Sequence, residues 1–407
     1  MNLTQEGIFV LRLSVVDENF QIYGYKLNFL EKKIVDDINP FTNSSISKKV
    51  LKYIIDFGID SFSGGKPVFI PVNDEIIRNE FISFISKEKI YFELLNINPS
   101  FDTLEHLEFL KKQGFKFVID ENLFNESFLN CVDIVEINPK KYVEKKEYLI
   151  NMLEFLHQKD KKIMAVNVNN KNEFNEFKNY GFDYFCGEFL TDKEKIEDSN
   201  QISPSKANLI NLYNKIIKNP DITQIESIFK KSPDLSYKLL KLINSAYNSL
   251  STQVSSIRKA LVLLGLNNLK RWVLYMIYSE DYTDIKNNPY FIQALLRAKM
   301  MEKLCEKVCT DKEEKDKAYL VGLLSNLDVI TKAPLEKLLS EIAVEDSVKK
   351  ALLEKEGILG QIYSLILYFE KEAYDKVKEI SQELNISISE ILLSETLSIV
   401  EIEKSKF

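Results

Sequence analysis

Histidine is nearly missing from this sequence, which has only two in 407 residues, His106 and His157. Both stand alone in segments with helical spacing, where a single histidine is more often a packed or surface residue than a catalytic group. None follows His157, so the remainder of the chain cannot build a metal centre on imidazole ligands.

Cysteine is also scarce, and four cysteines are too few for a disulfide framework in a chain of this length. Cys305 and Cys309 are four residues apart, which places both thiols on one face of a helix. A redox pair or a metal pair is one interpretation of that spacing. Half-buried, inert thiols are the favoured one, because no histidine or second cysteine pair lies nearby.

The chain lacks both a long apolar run and an excess of basic residues. No run approaches the roughly 20 apolar residues that a membrane helix needs, and residues 1–6 show no signal-peptide pattern. Lys and Arg number 54 against 61 Asp and Glu, and the resulting net charge of -7 disfavours binding to phosphate backbones. We therefore expect a cytoplasmic protein with no membrane contact, and we do not expect nucleic acid as a partner.

What the first 190 residues do contain is an alternation of short apolar runs with amphipathic stretches. Strands followed by helical patterns predict βαβ units, and eight such runs predict a TIM-like α/β barrel. The first two runs are joined by too few residues for a helix, so the first strand should pair antiparallel. The eight predicted strands span residues 8–16, 23–29, 67–72, 90–95, 115–120, 134–138, 163–168 and 184–189.

A change in composition divides the chain. Residues 191–207 are polar and charged and contain Pro204, which is typical of a linker. Nearly every later segment has the 3.6-residue spacing of a helix. We therefore predict a barrel over residues 1–190, a linker over 191–207 and an irregular all-α helical bundle over 208–407.

Two sets of motifs resemble known families. The segment 58–66 leads into a predicted strand at 67–72, and strand ends around Glu93, Asp120 and Glu136 follow it. Their order resembles an EAL domain, the cyclic di-GMP phosphodiesterase barrel, and more narrowly the EAL branch that is fused to an HDOD domain. Later in the chain, residues 232–246 with 257–265 resemble the HDOD signature, and 322–328 and 356–360 resemble later motifs of that family.

The EAL resemblance implies a two-metal hydrolase, in which strand-end carboxylates and an Asn hold Mg²⁺ or Mn²⁺. Glu93 and the acidic pair Asp120 and Glu121 match that pattern. The family's signature Glu falls on Lys26, however, and its catalytic Lys falls on Glu136. A charged Lys has no lone pair and repels a cation. These two departures from the family pattern therefore predict that no metal is bound here.

Other family positions differ as well. The Asn of strand two falls on Pro71, with Asn73 close by, and the Gln near the end of the barrel falls on Cys186. A late Glu falls near Asn167 or Asn169. Arg12 matches the family's Arg near the start of strand one, although Leu13 and Ser14 replace the Gln and Pro that follow it there.

The exchange of signs at Lys26 and Glu136 has a physical interpretation. A cluster of carboxylates at a barrel mouth repels itself unless a cation balances it. We therefore expect Lys26 to take the place of the metal as the counter-charge for Glu93, Asp120 and Glu136.

The HDOD half resembles a metal-dependent HD phosphohydrolase bundle without its histidines. We therefore predict a bacterial signal-transduction protein that is not an enzyme, has no cofactor, and acts through protein–protein contacts of the HDOD domain with an unknown signalling partner. Four aromatic residues beside a polar segment at 280–289 have two interpretations, packing inside the helical bundle and a contact surface for the partner: Trp272, Tyr278, Tyr282 and Tyr290.

Two alternatives remain beside that prediction. The first is a cyclic di-GMP receptor that binds the nucleotide without cleaving it, and Arg12 favours this one. The second, ranked lower, is an active cyclic di-GMP phosphodiesterase. A homodimer and weak binding of cyclic di-GMP are left open.

Overall fold

The structure is a computed structural model, and it describes residues 7–31, 45–98, 100–124, 126–191, 202–218, 221–246, 254–278, 285–309 and 311–404. Proximity of Cα atoms divides the chain into two compact units. The barrel unit comprises Met1–Glu194 and Leu365–Glu403, and the helical unit comprises Lys195–Ser364 and Lys404–Phe407. The predicted boundaries at 190 and 208 stay a prediction. The spatial division differs from them because Leu365–Glu403 groups with the barrel.

Eight strands close into a barrel in chain order, which confirms the predicted fold of the first part. The first strand runs antiparallel to both of its neighbours, as the short connection predicts, and the other pairs are parallel. The strands are β1 (Ile8–Asp17), β2 (Ile22–Glu31), β3 (Val68–Val72), β4 (Ile90–Leu94), β5 (Lys116–Asp120), β6 (Ile134–Ile137), β7 (Lys162–Ala165) and β8 (Tyr184–Phe185).

Helices on the outside of the barrel begin at polar caps that satisfy their first free amides. Ser47, Ser100 and Asn170 each accept a hydrogen bond from the backbone N–H three residues further on. The helices of this part are α1 (Lys48–Phe57), α2 (Asp60–Ser63), α3 (Asp74–Ile77), α4 (Phe101–Lys112), α5 (Glu126–Leu129), α6 (Lys146–Gln158) and α7 (Lys171–Tyr180).

The interior of the barrel is a packed apolar core, in which Val15, Phe69, Val118, Ile134, Met164 and Cys186 form one buried cluster. Side chains alternate between the two faces of a strand, so a residue two positions beyond a core residue faces the same interior. Glu136 stands two residues after Ile134 and therefore lies one layer closer to the carboxyl ends of the strands. The core thus sets the floor of the barrel mouth.

The last helix covers the part of β1 that β8 does not reach. The strand β1 meets β8 only at Val16 and Asp17, which leaves its earlier amides without a strand partner on that side. The last helix supplies side-chain acceptors instead: Thr396 Oγ1 accepts from Val10 N at 2.9 Å, and Glu395 Oε1 accepts from Arg12 N at 3.4 Å. Covering an edge with a helix is a common protection against unwanted strand pairing.

The rest of the described chain is helical, as predicted. The helices are α8 (Pro204–Ile217), α9 (Ile222–Lys230), α10 (Pro233–Ala246), α11 (Ile257–Leu264), α12 (Leu266–Tyr278), α13 (Pro289–Val308), α14 (Lys312–Leu324), α15 (Leu327–Thr331), α16 (Leu335–Glu341), α17 (Asp346–Leu353), α18 (Gly357–Glu370), α19 (Tyr374–Leu384) and α20 (Ile388–Lys404). Among the described residues, no helix combines the length and apolarity needed to span a membrane.

The helices α13 and α14 pack closely because one glycine lies at their contact. A Cβ atom added at Gly322 would stand 2.3 Å from the backbone N of Ala298, far inside contact distance. The close approach brings the end of α14 against a buried polar side chain of α13, Arg297.

Candidate functional site at the barrel mouth

Three charged side chains of the barrel meet near the carboxyl ends of its strands. Lys26 lies in β2, and its Nζ is 2.8 Å from Glu93 Oε1 of β4 and 2.7 Å from Glu136 Oε1 of β6. The Lys26 side chain is 20% exposed, and those of Glu93 and Glu136 are 7% and 13% exposed. The cluster is therefore largely withdrawn from water, and Lys26 is its most exposed member.

The protonation of this cluster depends on its burial. Burial raises the pKa of Glu136 to about 7 even though Lys26 opposes the change, and the nearby Glu93 adds to the rise. For Lys26, burial lowers the pKa, but the charges of Glu136 and Glu93 outweigh it and hold the pKa well above its usual value. Lys26 thus stays charged, while Glu136 exchanges a proton near neutral pH.

The structure brings together only part of the predicted acidic set. Lys26 contacts Glu93 and Glu136, as the exchange of signs predicts. Asp120 is not in this ion pair, because its Oδ1 accepts from the amides of Asn122 and Leu123 at 2.8 and 3.1 Å in the turn after β5. Glu121 forms a separate pair with Lys141 at 2.5 Å.

Arg12, which the resemblance matches to the family's Arg near the start of strand one, does not lie in the Lys26 cluster. Its guanidinium lies over the ring of Tyr25 at 4.2 Å, donates to Phe62 O at 3.0 Å and pairs with Glu403 of α20. In the strand register, Lys26 stands opposite Leu13, whereas Arg12 stands opposite Leu27. Neighbouring positions face opposite sides of a strand, so Arg12 points outward when Lys26 points inward.

The metal ions of the EAL resemblance do not fit the residues at this mouth. Glu93 and Glu136 face the ammonium of Lys26. Pro71 of β3, which stands beside Glu93 of β4, has no side-chain atom that could ligate a metal. Asn73 Oδ1 accepts from Ile76 N as the cap of α3. Across the described ranges, no group of three or more His, Cys, Asp and Glu side chains is arranged to hold a metal.

Two other positions at which this chain differs from the EAL pattern lie near the same end of the barrel: the family's Gln, here Cys186, and its late Glu, here Asn167 or Asn169. Cys186 is buried, and burial raises the pKa of its thiol to about 12, so it is neutral at physiological pH. The backbone amide of Asn169 donates to Glu173 Oε2 at 2.7 Å, and Asn167 has a left-handed backbone with φ of 58°. These residues shape the turn after β7.

A further buried cation, which the sequence analysis did not identify, lies in the helical unit. Arg297 is completely buried in α13, and its Nη1 donates to Ser325 Oγ at 3.1 Å and to Asn326 Oδ1 at 2.9 Å. Ser325 and Asn326 are themselves fully buried. The available signal was an Arg within the apolar run 294–298.

The predicted aromatic contact surface also needs correction. Trp272 and Tyr278 are 2% and 3% exposed, because α12 is buried along most of its length. Trp272 stacks on Phe229, and the Tyr278 hydroxyl donates to Leu323 O, so both side chains belong to the core. Tyr290 is half-buried, and Tyr282 lies outside the described residues.

A closed barrel with an antiparallel first strand, followed by a histidine-free helical unit, is the architecture that the EAL–HDOD resemblance implies. Residues 204–360 match the HDOD domain family. The chain is 27% identical over 398 residues to "Cyclic di-GMP phosphodiesterase CdgJ" of Vibrio cholerae, covering 95% of this chain and 90% of that protein. It is 23% identical over 391 residues to "Uncharacterized protein YuxH" of Bacillus subtilis, covering 93% and 94%. The predicted two-domain resemblance is confirmed.

Solved structures with EAL domains are also similar to this chain. The Bacillus subtilis YkuI protein, solved with c-di-GMP and calcium, covers 66% of this chain and 75% of its own at 14% identity and a TM-score of 0.38. The FimX EAL domain of Pseudomonas aeruginosa, solved with c-di-GMP, covers 46% of this chain and 91% of its own at 12% identity and a TM-score of 0.34.

The prediction that this chain is not an enzyme is overturned by the Vibrio cholerae relative, which is named a phosphodiesterase and matches 95% of the chain. Changed metal-ligand positions remove one route to hydrolysis, but they do not remove acid–base groups. A carboxyl group with a pKa of about 7 beside an ammonium can still transfer protons at neutral pH.

Proposed function

We propose that this chain is a cyclic di-GMP signalling protein, in which the barrel mouth binds the nucleotide and the HDOD domain transmits the signal by contact with another protein. The observation that carries the proposal is the ammonium of Lys26, held between Glu93 and Glu136 at the open end of the barrel. The match of the named relative over both parts of the chain supports it.

The net charge of Lys26, Glu93 and Glu136 controls how readily the mouth binds an anionic ligand. With both carboxylates ionised, the three-residue cluster carries one net negative charge and repels a phosphodiester. Protonation of Glu136, whose pKa is about 7, removes that charge and leaves the Lys26 ammonium to face the phosphate. Binding of cyclic di-GMP should therefore take up a proton and should be tighter at pH 6 than at pH 8.

The test is calorimetric titration of cyclic di-GMP into the full chain and into Lys26→Met, with and without a chelator. Loss of the ammonium should weaken binding at least tenfold. The matched control is Lys162→Met, because Lys162 pairs with Asp183 at 2.6 Å at the amino end of β7, away from the mouth. Equal affinity of Lys26→Met and wild type, or equal losses in both variants, would exclude this mode of binding.

Hydrolysis of cyclic di-GMP is the second candidate function, and the pKa of Glu136 favours it. In its protonated form, the form in which the mouth accepts the phosphodiester, Glu136 can donate its proton to the leaving ribose oxygen while a water attacks phosphorus and releases its own proton to solvent. Lys26 neutralises the charge that develops on the phosphate oxygens. One phosphodiester bond breaks, and the product is the linear dinucleotide. Chromatography should show that product with wild type and not with Glu136→Gln; equal turnover by the two proteins would rule out this role of Glu136.

The contact with a protein partner is assigned to the HDOD domain, whose lack of histidine argues against metal chemistry of its own. With Trp272 and Tyr278 in the core, Tyr290 is the described residue of the aromatic set that retains partial exposure. A photo-crosslinking residue placed at 290 in the native host should capture a protein that one placed at Tyr237, which is 65% exposed, does not. Cytoplasmic location and a homodimer stay predictions.

A further inference from the structure

Two cysteines come together at the carboxyl end of α13. Cys305 is fully buried in the last turn, and Cys309 is the half-buried residue that ends the helix. Their Sγ atoms are 2.7 Å apart. Two sulfur atoms this close are in direct contact, although a disulfide bond would be shorter, at about 2.05 Å.

The backbone at this point suits a bond between the two sulfur atoms. Cys309 N donates to Cys305 O at 2.7 Å, so the helical rise continues up to Cys309. At about 1.5 Å per residue, the two Cα atoms lie roughly 6 Å apart. Disulfides span Cα separations of roughly 4.4–6.8 Å, so the Cα spacing of this pair lies within the range that a disulfide bridges.

The surroundings give the two thiols different roles. Cys309 is the one that solvent can reach, so a soluble oxidant meets it first. Burial raises the pKa of Cys305, and contact with Cys309 raises it further, while the charge of Lys315 on α14 opposes both. Cys305 is therefore a poor first nucleophile, but it is already in place to attack a sulfur atom attached to Cys309.

We propose that Cys305 and Cys309 form a redox site that small disulfides of the glutathione class oxidise reversibly to an intramolecular disulfide. Cys309 attacks the oxidant, forms a mixed disulfide and releases one thiol. Cys305 then attacks the Cys309 sulfur and releases the second thiol. The two protein thiols are oxidised, the small disulfide is reduced to two thiols, and each departing thiol takes one proton.

The remaining cysteines supply internal controls. Cys131 and Cys186 are buried in the barrel unit, and burial raises the pKa of each thiol, to about 11 and about 12. Neither has another cysteine as a sulfur contact among the described residues. The change should therefore involve two of the four thiols and leave two unchanged.

The experiment equilibrates the full chain in glutathione buffers of increasing oxidised fraction, quenches with acid, alkylates free thiols under denaturing conditions and measures intact mass. Wild type and the control Cys131→Ser should each lose two alkylatable thiols in one step, without retained glutathione. Cys305→Ser should accumulate glutathione on Cys309, and Cys309→Ser should keep all its thiols. If wild type keeps four alkylatable thiols at every ratio, or retains glutathione as Cys305→Ser does, the proposal is wrong.

Discussion

Lys26 of the barrel unit and Arg297 of the helical unit are both cations withdrawn from water, and their described contacts differ. Lys26 lies at the open end of the barrel between two carboxylates, one of which has a pKa of about 7. Arg297 is completely buried and donates to the neutral side chains of Ser325 and Asn326. Arginine stays charged at any physiological pH, whereas the charge of the Lys26 cluster changes when one carboxyl exchanges a proton.

The two sets of contacts suit the two cations to different roles. A site whose net charge changes near neutral pH can accept an anionic ligand or transfer a proton, so the barrel mouth is the better candidate for chemistry. A permanently charged group with fixed hydrogen bonds orders the helices around it, and Arg297 joins α13 to the end of α14. Substitutions at four residues test this contrast.

Replacing the buried arginine should have the largest effect. Arg297→Ala leaves a void and removes the donor that Ser325 and Asn326 share, which should lower the free energy of unfolding by about 3–5 kcal/mol. Urea denaturation measures the change. Arg297→Lys, which keeps the charge but not the planar donor group, should recover only part of it. A loss below about 1 kcal/mol would mean that Arg297 does not organise the helical unit.

Removing the barrel cation should cost less, because the mouth is partly open and can adjust its protons. Lys26→Met leaves Glu93 and Glu136 facing each other and should lower the free energy of unfolding by about 1–3 kcal/mol at pH 8. The loss should shrink at pH 5.5, where one carboxyl binds a proton. A loss that is the same at both pH values would show that charge repulsion is not its cause.

The proton itself can be measured through the pH dependence of stability. The folded pKa of Glu136 is raised from 4.5 to about 7, so the folded state binds more protons between these values. The stability from that proton is present below pH 4.5 and is lost as pH rises to about 7. Compared with Glu136→Gln, wild type should therefore lose stability with a slope of at most about 1.4 kcal/mol per pH unit. Parallel pH profiles of the two proteins would contradict the raised pKa.

The smallest effect is expected at the other end of the barrel. The side chain of Lys162 is 59% exposed and that of its partner Asp183 is 16% exposed. An exposed ion pair contributes about 0–1 kcal/mol, so Lys162→Met should lie within that range in the same denaturation series. A loss as large as that of Lys26→Met would remove the distinction between mouth and surface pairs.

Patterns of residues close along the chain predicted the local parts of this protein. Alternating apolar runs predicted the strands, and a connection too short for a helix predicted the antiparallel first pair, because both depend on residues close along the chain. The opposite signs of Lys26 and Glu136 predicted their contact, since parallel strands place their carboxyl ends at one mouth. Asp120, which the same argument included, binds the amides of its own turn instead.

Only the tertiary structure decided what lies outside the barrel and inside the helical unit. Thr396 receives a hydrogen bond from Val10 across 386 positions of sequence, and that contact is part of what groups the last helix with the barrel. The same helix holds Arg12 away from the mouth through Glu403. The burial of Trp272 and the partners of Arg297 depend in the same way on which helix faces meet. Periodicity fixes the face on which a residue lies, but it does not say which distant segment covers that face.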